Sequence, residues 1–349
     1  MEDFIMKRAL MVGINEYGES APALKGCVAD AWRMFRVLST HEDGSQNFEC
    51  MLLANPGTSY EPEIIGVQKD DPDSIRLETK ITAALLKEHL HQLFTEKADI
   101  VLFYFAGHGT VNDLGGYLVT YDFEPFNPGV SMPELITQAN NAEADEVVIV
   151  IDCCHSGKFG EIPILGNENA ILREGVSILT GSASSQPTVE ENGGGLFTNV
   201  VYEALNGVAT DFLGRITVAN LYTYVDQAFG AWKQRPLYKS NVRRMVTLRE
   251  AMPPVAFEIL RNIAKYFPAA DSEYKLDPSH EPTHESKRSE NIKVFSDLQI
   301  MRNAGLVVPV DAEHLYYAAI HSKSCKLTKL GRYYWRLAKM KKFGIDVIP

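Results

Sequence analysis

The chain has 349 residues, of which 45% are hydrophobic and 23% charged, with a formal net charge of −11. This balance supports a large core and excludes wholesale disorder, and the acidity excludes a surface given over to nucleic acid or anionic lipid. Five cysteines, scattered apart from Cys153–Cys154, make no disulfide framework; with no cleavage-site pattern at the N-terminus and no apolar run long enough to span a bilayer, they point to a reducing, cytoplasmic setting.

In chain order, Lys7–Ile14 (KRALMVGI) reads as a buried strand. Apolar residues at 24, 27, 28, 31, 35 and 38 share one face of a helix over Leu24–Leu38. Phe48–Leu53 reads as a second strand, Glu78–Phe94 as a helix and Asp99–Phe105 (DIVLFYF) as a third strand. Ser131–Asn140 reads as a helix that tolerates Pro133 in its first turn. Val147–Ile151 (VVIVI) and Gly175–Thr180 are the fourth and fifth strands, and helices follow around Phe197–Leu205 and Thr217–Phe229. Strands that are apolar throughout and alternate with helices imply an α/β fold with a mostly parallel sheet covered on both faces. Function in such a sheet sits at the carboxyl ends of the strands.

Charge divides the chain. Residues 286–349 hold 12 Lys and Arg against 5 Asp and Glu, whereas the first 285 hold 22 against 40. Such a change of sign suggests units with different partners. The boundaries read as a domain over 1–252, a helix and flexible linker over 253–291, and a basic C-terminal α+β module over 292–349. The linker reading rests on 268–291, which has three prolines and little apolar periodicity. The module reads as a helix over Ile292–Gly305, strands at Leu306–Val310 and His314–Ile320, and a helix over Leu327–Lys341, loosely similar to a winged helix. Lys323, Lys326, Lys329, Arg332 and Arg336 cluster near Tyr333, Tyr334 and Trp335. That grouping suits a nucleic-acid face, a protein-docking surface or aromatics buried in a core.

The strand ends carry the chemistry. Strand three runs into Ala106-Gly107-His108-Gly109, where the glycines permit a sharp turn around a histidine. Strand four runs into Asp152-Cys153-Cys154-His155-Ser156-Gly157. If both turns lie at one sheet edge, His108 faces one of the two cysteines. An imidazole then takes the thiol proton, the thiolate attacks a carbonyl, and backbone N–H groups such as that of Gly109 hold the oxyanion. The structural alternative is a buried cysteine and a hydrogen-bonding histidine. Zinc at Cys153, Cys154, His155 and His108 is a weaker reading, because adjacent cysteines on an extended chain point apart. Gly193-Gly194-Gly195 reads as a flexible loop.

Together these motifs, with the helix entry Leu24-Lys25-Gly26-Cys27-Val28-Ala29-Asp30-Ala31, resemble the caspase-like cysteine peptidases, and within them the metacaspases and their bacterial relatives. The resemblance covers roughly residues 5–250 and implies a caspase-like α/β/α sandwich. It implies Cys154 as nucleophile, His108 as base, and the N–H groups of Gly109 and Cys154 as the oxyanion hole. It places Asp30 and Asp152 in the pocket for the residue before the cut, with Ser182 on its wall, and so implies cleavage after Arg or Lys. The loop 157–175 is where such proteins process themselves, which makes Arg173 and Lys158 the expected cut sites. No cofactor is expected: calcium sites of the family need clustered acids, and only Asp122, Glu124 and Glu161 stand in the corresponding regions. Ala106 stands where many members carry Ser. Partners implied are a protein substrate, a regulatory or activating protein, nucleic acid through 292–349 alone, and no membrane. The role implied is an intracellular stress or antiviral effector, and metacaspases tend to be monomeric. The alternative is a non-enzymatic caspase-like scaffold that carries a DNA- or protein-binding winged-helix module.

Overall fold

The computed structural model describes residues 5–57, 74–112, 115–124, 126–154, 172–181, 190–191, 194–230 and 236–340. Three strands form the centre: β1 (Lys7–Ile14), β4 (Ala98–Asn112) and β7 (Ala144–Cys154). β2 (Glu49–Asn55) and β3 (Ile75–Leu77) extend one edge in parallel; β8 (Val176–Thr180), parallel, and β12 (Leu237–Asn241), antiparallel, extend the other. The order is β12-β8-β7-β4-β1-β2-β3, and β5 (Gly115–Leu118) and β6 (Val130–Ser131) are added beside β4; β9 (Glu190–Glu191) with β10 (Gly194–Gly195), and β11 (Arg215–Thr217) with β13 (Thr247–Glu250), form two short antiparallel pairs.

Alternate residues of the central strands feed two cores. Met11, Tyr104 and Val150 pack with Met34 of α1 (Cys27–Ser39), Val201 of α4 (Leu196–Glu203) and Leu221 of α5 (Val218–Phe229). Val12, Phe103 and Ile149 pack with Leu90 of α2 (Ala83–Thr95) and Leu135 of α3 (Met132–Asn140). This is the caspase-like α/β sandwich, with helices over both faces of a mostly parallel sheet. Helix α2 begins later than the apolar pattern suggests. Thr82 Oγ1 accepts from Leu85 N–H at 3.3 Å and Asp122 Oδ1 from Ala83 N–H at 2.8 Å, and these bonds set the start.

The chain divides into one unit of residues 1–210 with 215–251 and a second of residues 211–214 with 252–349. In the second unit α6 (Phe257–Tyr266), α7 (Ser289–Asn303), α8 (Leu315–Ile320) and α9 (Lys329–Lys339) enclose an antiparallel sheet β14-β16-β15. Its strands are Glu273–Lys275 (β14), Val307–Val310 (β15) and Ser324–Leu327 (β16).

Three expectations for this region are corrected. The proposed linker 268–291 is folded: it contributes β14, and Leu276, Ser279, His280 and Glu281 are buried. Prolines and polar residues there serve turns and caps, such as the Asp277 cap over Pro278–His280. His314–Ile320 is mostly helix α8 rather than a strand, because Leu315, Ala318 and Ala319 recur at helical spacing and all turn inward. That helix separates β15 from β16, so no winged-helix hairpin forms there. The aromatics of α9 divide: Tyr334 is buried, Trp335 Nε1 donates to Phe267 O at 2.6 Å, and Tyr333 is exposed. No helix among the described residues is long and apolar enough to cross a membrane.

Gly13 sets how closely α1 sits on β1. A Cβ there would lie 2.5 Å from Cys27 O and 2.8 Å from Val28 Cα. Gly13→Ala is expected to cost about 1–3 kcal/mol through overpacking, measured by urea unfolding.

Candidate active site

The Ala106–Gly109 segment is not a turn. Strand β4 continues through it to Asn112, and β7 continues to Cys154. The glycine at 107 is needed for closeness rather than for a bend: a Cβ there would lie 2.5 Å from Tyr17 Oη and 2.8 Å from the Phe105 ring. The β4–β7 register ends with Gly107 opposite Cys153 and His108 opposite Cys154. Neighbouring parallel strands lie about 4.8 Å apart, so residues nearly fifty apart along the chain become neighbours. Successive residues of a strand face opposite ways, so 153 takes the face opposite 152. Cys153 accordingly joins the α2–α3 core and is 8% exposed, which removes it as a reachable nucleophile.

His108 is held from three directions. Its backbone N–H donates to Tyr17 Oη at 2.8 Å, and the Tyr17 ring lies 4.8 Å from the imidazole, centroid to centroid. Its carbonyl accepts from Val119 N–H at 3.0 Å. Its Nε2 is 2.7 Å from Pro22 O. A carbonyl can only accept, so Nε2 carries the proton and Nδ1 is the basic nitrogen of the neutral ring. Because the His108 N–H and C=O are turned toward Tyr17 and Val119, the Gly109 N–H points to the opposite side of β4.

The second cluster is the acid pair. Asp30, in the first turn of α1, and Asp152, near the end of β7, are 2% and 5% exposed. They meet at the N-terminus of α4. Gly195 N–H donates to Asp30 Oδ2 at 2.8 Å. Thr198 donates to Asp152 Oδ2 from its N–H at 3.2 Å and its Oγ1 at 2.6 Å. Tyr104 Oη lies 2.6 Å from Thr198 Oγ1. Arg33 Nη2 donates to Asp30 Oδ1. Burial first, and then the charge of Asp152, push the Asp30 carboxyl up to about 7 against the pull of Gly195 and Arg33. Burial also raises Asp152, against its bonds from Thr198. The glycine run read as a flexible loop therefore ends in a constrained residue: a Cβ on Gly195 would lie 2.5 Å from Asp152 Oδ2 and 3.4 Å from Asp30 Oδ2.

Arg173, expected as a cut site, is tied into the fold. Its guanidinium donates to the carbonyls of Ala139, Ala142, Ala144, Asp145 and Glu174, and its N–H to Asn140 Oδ1. A peptidase would have to strip all of these before binding the side chain. Asp122 likewise is committed to capping α2 and to Thr120 and Asn127. No group of three or more His, Cys, Asp or Glu able to hold a metal occurs among the described residues. The Cys154 side chain, Lys158, Ser182 and the stretch 155–157 lie outside the described residues.

A histidine and a cysteine thus stand opposite each other on neighbouring parallel strands of a sheet covered by helices on both faces. The chain matches the Caspase domain family over residues 6–247 and belongs to it. It is similar to Metacaspase-1 of Eremothecium gossypii, 28% identical over 211 residues, covering 56% of this chain and 42% of that protein. It is similar to Metacaspase-2 of Trypanosoma brucei brucei, 27% identical over 215 residues, covering 52% and 56%. Metacaspase-1 of Candida glabrata is 25% identical over 185 residues, covering 48% and 41%. The chain thus spans about half the length of these relatives. Caspase-1 from Spodoptera frugiperda superposes with a TM-score of 0.47 at 14% identity, covering 71% of this chain and 91% of that one.

Four contributors escaped the sequence reading: Tyr17, Pro22, Arg33 and Thr198. Pro22 acts through a carbonyl, which every residue has, so nothing in its side chain marks it. Arg33 could have been found as the cation one helical turn from Asp30. Arg173→Ala leaves several carbonyls without their charged donor. It is expected to lose about 2–3 kcal/mol in urea unfolding, whereas a residue that is only a cut site would leave stability unchanged.

Proposed function

We propose that the protein is a cysteine endopeptidase that cuts protein substrates after Arg, and less well after Lys, through Cys154 and His108. The observation that supports it most is the register of His108 against Cys154, with His108 Nε2 committed to Pro22 O. In this reading Nδ1 takes the thiol proton, the thiolate attacks the scissile carbonyl, and the proton passes to the leaving amine. The N–H groups of Gly109 and Cys154 receive the oxyanion. Asp30 and Asp152 receive the guanidinium, whose planar fork suits two carboxylates better than an ammonium does. Ser182 completes the pocket wall, and processing in the loop after the nucleophile is assigned to Lys158. No metal or other cofactor takes part in this scheme. The proposed setting is the cytoplasm, where the protein serves as a monomeric stress or antiviral effector gated by processing or by a partner protein.

Fluorogenic peptides ending in Arg, Lys and Asp test the assignment. Cleavage should rank Arg above Lys, with Asp peptides untouched, and Cys154→Ala should lower turnover about 10³-fold or more. Cleavage after Asp, or activity that survives Cys154→Ala, would contradict it. The raised Asp30 carboxyl adds a pH signature. Its ordinary value is 3.8 and its value here about 7, so it becomes anionic only as pH rises through neutrality. A substrate cation favours the anion, so KM for arginyl peptides should fall between pH 6 and about pH 8, and Asp30→Asn should flatten that profile.

A second reading concerns the basic unit. Lys329, Arg332, Arg336 and Lys339 are exposed on α9, which carries no acidic residue. This supports a docking face for nucleic acid, whether beside the peptidase or in its place as the function of a non-enzymatic scaffold. Arg332→Glu with Arg336→Glu should abolish salt-sensitive binding of a short DNA duplex and leave peptide cleavage unchanged; a wild-type protein that ignores the duplex at low salt removes this reading.

A further inference from the structure

Arg33 lies one turn along α1 from Asp30 and joins that helix to α4. Its Nη2 donates to Asp30 Oδ1, its Nη1 donates to Asn199 Oδ1 at 2.5 Å, and its guanidinium carbon sits 5.8 Å from the centre of the Tyr202 ring. Its Nε is buried and finds no partner among the described residues. Ion pairs one turn apart on an exposed helix contribute little. This one differs because its acid is 3% exposed and stands beside a second buried acid. The two oxygens of Asp30 are divided between jobs. Oδ1 is taken by Arg33, while Oδ2 turns to Gly195, where Asp152 Oδ2 also converges.

We propose that Arg33 is a positioning residue for substrate specificity: it holds Asp30 by one oxygen, so that the other oxygen and Asp152 together receive a single substrate cation. This rests on the reading of the acid pair as the pocket for a basic residue. Two carboxylates and one internal guanidinium leave one net negative charge, which a single incoming Arg or Lys neutralises. Among the described residues, the groups that face Asp30 are Asp152 from β7, Tyr104 from β4, Arg33 from α1, and the Gly195 N–H at the start of α4. Arg33 is the one cation in that set, so it alone opposes protonation of Asp30 by charge. Without it, the substrate cation has to displace a proton from a buried carboxyl before it can be bound by two anions.

The test is Arg33→Gln, with Arg33→Lys as the conservative variant, assayed on an arginyl peptide alongside the wild type from pH 6 to pH 9. With Asp30 near 7, an upward shift of about one pH unit in its titration raises KM about fivefold at pH 7 and close to tenfold at pH 6, and that is the effect expected of Arg33→Gln. The KM profile should move to higher pH, the deficit should shrink toward pH 9, and kcat should stay near that of the wild type. Arg33→Lys should restore most of the affinity. A purely structural role would lower kcat or the active fraction at every pH without moving the KM profile, and that result overturns the inference. An unchanged KM in Arg33→Gln, beside a wild type that cuts arginyl peptides, also overturns it while leaving the proposed function intact. A wild type that cuts Asp peptides or none overturns both.

Discussion

Strands β4 and β7 run in one register from Ala98 opposite Ala144 to His108 opposite Cys154. Side chains alternate faces, so a slip of a single residue would move every buried position to the wrong core. The two cores therefore act as a gauge for the strand ends. Met11, Tyr104 and Val150 on one face, and Val12, Phe103 and Ile149 on the other, fit only when the register is kept. What looks like a local pairing of a histidine with a cysteine is thus fixed by packing that starts far from either residue. The same alternation assigns Cys153 to a core.

The acid pair depends on the same frame. Asp152 comes from β7 two residues before the strand's last position, and Asp30 from the helix that Gly13 lets close onto β1. Two buried carboxylates so close would be unfavourable if left alone. Here the start of α4 offers Gly195 and Thr198 N–H groups, and Arg33 adds a full positive charge. Those partners offset part of the repulsion, while burial still holds both carboxyls above their ordinary range. A site in that condition gains from a further cation.

Much of this was legible in the sequence, for physical reasons that differ by element. The strands at Lys7–Ile14 and Val147–Ile151 announce themselves because a sheet covered on both faces needs unbroken apolar runs. The His108, Cys154, Asp30 and Asp152 motifs were legible because their residue types carry rare chemistry. The extension of β4 through Gly107 and Gly109 was not: glycine suggests a bend, whereas at 107 its bareness makes room for Tyr17 and Phe105. The stretch 268–291 misled because prolines and polar residues also serve short capped turns, as at Asp277–His280. Pro22 was unreadable in principle, since a backbone carbonyl acts there. The structural ties of Arg173 were not legible, because its partners are carbonyls of residues around 140 and 145, which no local pattern reveals.

The proposed peptidase needs one cleft in which the Cys154 thiol meets His108 Nδ1 and a substrate guanidinium meets Asp30 and Asp152. A crystal structure of the protein bound to a short peptide aldehyde ending in Arg tests both halves together. The account predicts a bond from Cys154 Sγ to the aldehyde carbon, His108 Nδ1 within hydrogen-bond reach of that sulfur, and the guanidinium in contact with both carboxylates. An unreacted Cys154, or an arginine side chain seated away from Asp30 and Asp152, would contradict it.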